Sequence, residues 1–73
     1  MDKTYYQITV FKDANKWGCT MKNKYKRFEN GHKKFNRLIT SGKYETVILR
    51  REQEWENGSS KSTPIAIYIG GGK

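Results

Sequence analysis

Seventy-three residues with a formal net charge of +8 predict one small domain, which buries only roughly 60% of its unfolded surface. Such a core leaves no room for a deep active site with a supporting shell, so function is expected on a surface. One cysteine, Cys19, excludes an internal disulfide, and no apolar run approaches the roughly 20 residues that a membrane span needs.

The charge is not spread evenly. Residues 22–43 carry eight basic groups against one acidic group, whereas residues 44–56 carry two against four. A localised positive field attracts polyanions, so the asymmetry says more about partners than the total does. The first ten residues, MDKTYYQITV, lack a basic segment followed by a long apolar run. No leader is expected, and the chain reads as cytoplasmic.

Residues 5–11, YYQITVF, are rich in aromatic and β-branched side chains and predict the first strand. Tyr6, Ile8 and Val10 are expected to face the core, with Tyr5, Gln7 and Thr9 on the other face. Residues 12–16 read as a turn. Residues 17–25 predict a second strand, hairpinned to the first. Trp17, Cys19, Met21 and Tyr25 share one face, and Thr20, Lys22, Lys24 and Lys26 share the other. Lysines there would also guard an edge strand against aggregation.

Residues 29–41 predict the helix. Asn30 is a candidate cap, Phe28 packs back from just before it, and Phe35, Leu38 and Ile39 form one apolar stripe. Lys33, Lys34 and Arg37 lie away from that stripe, and Gly42 is suited to stop the helix. Residues 44–55 predict a third strand with Val47 and Leu49 inward, and residues 56–63 a polar loop. Residues 64–69 predict the fourth strand, with Ile65, Ile67 and Ile69 on one face and Ala66 and Tyr68 on the other. Pro64 suits an edge position. Residues 1–69 form the domain on this reading, and residues 70–73 a disordered tail.

The order β-β-α-β-β gives an α+β fold of two layers: a four-stranded antiparallel sheet, order 2-1-3-4, with one helix on one face. The expected core is Tyr6, Ile8, Val10, Trp17, Cys19, Met21, Phe35, Leu38, Ile39, Val47, Leu49, Ile65 and Ile67. The open face would show Tyr5, Tyr44 and Tyr68 with Arg50 and the lysine row. Rings beside cations form a platform on which bases stack while phosphates are neutralised. Lys33, Lys34 and Arg37 would lie on the opposite side. Lys26, Arg27, Lys33 and Lys34 are expected to meet at a rim where duplex backbone could lie.

Catalysis is poorly provided for. Cys19 and His32 are the lone cysteine and histidine, and Cys19 is expected inside, where a thiol is poorly activated. Glu52, Glu54 and Glu56 share a strand face and read as solvated ion pairs. No metal-ligand spacing or phosphate loop is present, so neither metal nor cofactor is expected. The chain reads as a non-catalytic nucleic-acid-binding module acting through Tyr5, Lys22, Lys24, Lys26, Arg27, Lys33, Lys34, Arg37, Tyr44, Arg50 and Tyr68. The alternative is an accessory protein of the phage or mobile-element inhibitor or adaptor kind, its basic surface docking on an acidic surface of a host enzyme or nucleoprotein complex. An edge strand open to pairing with a second copy is also expected.

Overall fold

The computed structural model describes residues 3–12 and 18–70. Strands β1 (Lys3–Phe11), β2 (Cys19–Thr20), β3 (Thr46–Glu54) and β4 (Ser60–Ile69) form one antiparallel sheet in the order β2-β1-β3-β4. Helix α1 (Phe28–Ser41) crosses one face and packs on β1 and β3, the two central strands. This is the α+β architecture that the sequence predicts.

The centre follows from strand alternation. Ile8 pairs with Leu49 and Val10 with Val47, so all four point toward the helix. With Phe35 and Leu38 of α1 they make the buried core, in which Val47 and Leu49 are fully enclosed. Burying each such side chain contributes about 1.5–3 kcal/mol, and Tyr6, Met21, Tyr25, Ile39, Tyr44, Ile65, Ala66 and Tyr68 add partial burial around the cluster.

Helix α1 begins one residue earlier than expected, and Arg27, not Asn30, occupies the N-cap with no side-chain capping bond. Asn30 lies within the first turn instead. Phe28 sets its ring edge-on to Tyr6 at 5.9 Å and stacks on His32 at 5.2 Å, and His32 in turn stacks on Phe35 at 5.9 Å. His32 is therefore half-buried between two rings. Gly31 is buried where the helix comes closest to the sheet. A β-carbon there would lie 3.3 Å from both Leu49 Cδ1 and Tyr6 Cβ, tighter than ordinary packing. The roughly 0.5–1 kcal/mol that glycine costs within a helix is offset by that approach. Gly42 ends the helix at φ 69°, its N–H donating to the Ile39 carbonyl at 3.2 Å.

Several expected placements change. β3 and β4 are joined by residues 55–59, a tighter loop than expected, closed by Trp55 N–H to Ser59 O at 2.9 Å. β4 therefore starts at Ser60. Its register shifts between Leu49 and Arg50, so that Leu49 faces Ala66 while Arg50 faces Pro64. Ile65 is the extra residue of this bulge and packs on the core. Beyond it Ala66 and Tyr68 point toward the helix, whereas Ile67 and Ile69 lie on the open face, 56% and 73% exposed. Placing Ile67 in the core is thus overturned.

Cys19 is exposed rather than buried, because β2 is only two residues long and α1 does not cover it. Met21 and Ile39 pack against the core, partly buried. The predicted core position Trp17 and most of the predicted turn at 12–16 lie outside the described residues. So do residues 71–73 of the predicted tail. Gly70 is ordered onto the fold by its N–H, which donates to Glu45 O at 2.7 Å.

Candidate nucleic-acid interface

The basic half of the chain wraps around the β2 edge of the sheet. After Thr20 the strand does not simply continue. Thr9 faces Thr20 and Tyr6 faces Tyr25, so three steps along β1 match five along its neighbour. The surplus residues loop outward around Lys22 and Asn23, both exposed. Pairing resumes at Tyr25, which exchanges backbone bonds with Tyr6 at 2.7 and 2.9 Å. Gln7 Nε2 fixes the loop from inside by donating to Met21 O at 3.1 Å.

Resumed pairing sends adjacent side chains to opposite faces of the sheet. Lys24 goes to the open face, its Nζ 4.9 Å from the centroid of the Tyr5 ring. A cation over an aromatic face at that distance is attracted by the ring quadrupole. Tyr25 goes to the helix side and packs on the core.

Two half-open concavities flank this segment. On the open side, Lys3, Thr4, Tyr5, Lys24 and Lys26 line a volume of about 520 Å³. On the helix side, Tyr25, Asn30, Lys33, Lys34 and Arg37 line one of about 320 Å³. Six cations and no carboxylate line the two together. The basic residues of the helix lie on the helix side of this segment and Lys24 and Lys26 on its open side, so the expected rim of Lys26, Lys33 and Lys34 is divided between two concavities. Arg27 sits exposed at the helix start, and its carbonyl accepts from Gly31 N–H at 3.3 Å.

The tyrosine platform is not assembled. Tyr44 and Tyr68, expected on the open face, both pack on the core side. Tyr68 follows from the bulge in β4. Tyr44 follows from a bend at Glu45, whose N–H donates to Phe11 O at 2.9 Å before β3 begins. Tyr5 alone of the three is on the open face, and its hydroxyl donates to Glu54 Oε2 at 2.8 Å. That hydrogen bond raises the Tyr5 pKa above its ordinary value, with burial and the negative charges of Glu54 and Glu52 adding to it and Arg50 opposing.

Arg50 is on the open face as predicted but is already engaged. Its guanidinium lies 3.4 Å from Glu52 and donates to Ser62 Oγ at 3.3 Å and Thr20 Oγ1 at 3.5 Å. Ser62 also donates to Glu52. The middle of the open face thus holds Arg50 in a polar network with Glu52, Ser62 and Thr20, its Nε buried without a partner, and is not a free cationic surface.

Sequence reasoning missed four lining residues: Lys3, Thr4, Tyr25 and Asn30. Extending the alternation Tyr5–Gln7–Thr9 back by two residues would have put Lys3 beside Tyr5. Among the described residues no group of three or more His, Cys, Asp or Glu could hold a metal ion, and no helix is long and apolar enough to cross a membrane. No protein-family model matches the chain, and neither curated proteins nor solved structures yield a match.

Proposed function

We propose that this protein is a small nucleic-acid-binding module that grips phosphates with the basic rim at the β2 edge. The observation that carries the reading is the pair of adjoining concavities, lined by Lys3, Lys24 and Lys26 on one side and Lys33, Lys34 and Arg37 on the other. Side chains on both sides of one extended segment can follow a phosphate backbone that crosses it. Contacts of this kind position the ligand and carry no base sequence. With Tyr44 and Tyr68 on the core side, base stacking along a tyrosine row is no longer part of the reading. The alternative, a protein-binding accessory chain, would use the same rim against an acidic protein surface.

The test is a salt titration of binding to fluorescent single- and double-stranded DNA and RNA. Each duplex phosphate neutralised contributes a slope of about −0.9 to log K against log salt. Engagement of most of the six cations therefore gives a duplex slope of about −4 to −5. Absence of binding at low salt overturns the proposal and leaves the rim to an acidic protein.

A further inference from the structure

We infer that the outer edge of β4, over residues 65–69, is the interface of a symmetric homodimer that joins two sheets into one of eight strands. β4 is an edge strand ten residues long, and its outer side has no partner among the described residues. Proteins normally protect such edges with lysines, prolines, bulges or short strands, because unpaired backbone groups recruit other strands. In β4 the devices of that kind, Lys61, Pro64 and the bulge at Ile65, are confined to the first part of the strand. Residues 65–69, IAIYI, contain no charge, proline or glycine.

The open face at the same corner is apolar. Ile48 lies beside Ile67, and Thr46 lies between Phe11 and Ile69. Among the described residues, Ile67 and Ile69 are two of the three large apolar side chains that stand exposed. A partner that adds a strand here meets backbone donors and acceptors and an apolar surface together.

The uncharged, self-complementary pattern of residues 65–69 points to a second copy as that partner, and charge allows it in one geometry. Two chains of charge +8 repel, and pairing them through their β2 edges would set Lys22, Lys24 and Lys26 of one against those of the other. Pairing through β4 brings uncharged segments together and places the two β2 edges seven strand spacings apart, about 34 Å. That is roughly four Debye lengths at physiological salt, so the repulsion is almost fully screened. The segment is also self-complementary. A two-fold axis at Ile67 pairs Ala66 with Tyr68 and Ile65 with Ile69, so that helix-side residues Ala66 and Tyr68 meet on one face. Both helices then lie on the same side of the joined sheet.

Sedimentation equilibrium without nucleic acid tests the inference. The mass should rise from one chain toward two with concentration, and dimerisation should tighten as salt is added, since salt screens the residual repulsion. Ile67→Lys and, separately, Ile69→Lys place like charges at the interface and should weaken dimerisation by at least roughly tenfold. Both side chains are exposed, so the far-UV circular dichroism should stay that of the parent chain. A single-chain mass at every concentration overturns the inference. So does a dimer that is equally tight in the Ile67→Lys, Ile69→Lys double variant.

Discussion

The two edges of this sheet solve the same problem in different ways. Along β2 the regular pairing lasts two residues, the next stretch loops outward, and lysines at 22, 24 and 26 crowd the rim. Lysines there oppose the approach of other strands, and the proposed phosphate contacts rest on the same charges. Along β4 the pairing with β3 runs the full strand, interrupted only by the bulge, and the last five residues are uncharged. Beyond Lys61 and Pro64 that edge has no cation to hold phosphates and little to refuse another strand. Position in the sheet is equivalent for the two, so the difference comes from side-chain charge and local irregularity. A net charge of +8 states neither property, because it averages a cationic edge with a neutral one.

Removing the shared support should have the largest effect. Leu49 is fully buried beneath Gly31 and packs at the centre between both edges. Leu49→Ala should cost about 2–5 kcal/mol in a urea melt. For so small a domain that is a large part of its stability, and it should abolish phosphate binding and self-association together.

The edges should then separate cleanly. Reversing Lys24, Lys26, Lys33 and Lys34 to Glu should weaken nucleic-acid binding by on the order of a thousandfold and flatten the salt slope by about one unit per lost contact. The same variant should still dimerise through β4. Equal loss of both activities would show that the edges are not independent.

A smaller effect is expected where the basic edge meets the acidic pair on the open face. The Tyr5 pKa is raised in the folded protein, chiefly by the hydrogen bond to Glu54. Its contribution to stability is therefore complete below the ordinary tyrosine value of about 10 and is lost as pH climbs through the higher folded value. An ultraviolet titration should show a late-ionising phase that Tyr5→Phe removes. The smallest effect belongs to Cys19→Ser. An exposed position predicts a change within about 0.5 kcal/mol, whereas a core cysteine would lose much more.

Element order, strand order and the core of β1, α1 and β3 were legible because each rests on an unbroken period. Ile8 and Val10 alternate with polar neighbours, Phe35 and Leu38 recur at helical spacing, and Val47 and Leu49 follow from the central strand. The failures lie where the period breaks. In β4 three isoleucines at alternate positions outweigh Ala66 and Tyr68 on any hydrophobic count, yet a one-residue bulge at Ile65 reverses the faces beyond it. The apolar corner at Ile67 and Ile69 is the product of that reversal. In the stretch after β2, clean alternation of Cys19, Met21 and Tyr25 suggested one long strand. The backbone instead loops out at Lys22 and Asn23, which no side-chain pattern encodes. Cys19 was misplaced for a related reason: alternation gives its face but not whether the helix reaches that far. The rim was partly legible in the clustering of lysines. Its concavity was not, since it depends on Tyr25 and Asn30 being brought together from separate elements.

The most direct test is a nitrogen-15 heteronuclear NMR titration with a short duplex at low salt. Binding through the β2 edge predicts amide shifts that follow residues 3–5 and 24–37 and leave residues 60–69 in place. Shifts concentrated on β4, or on the open face around Arg50 and Ile48, would contradict the assignment of phosphate binding to the β2 edge.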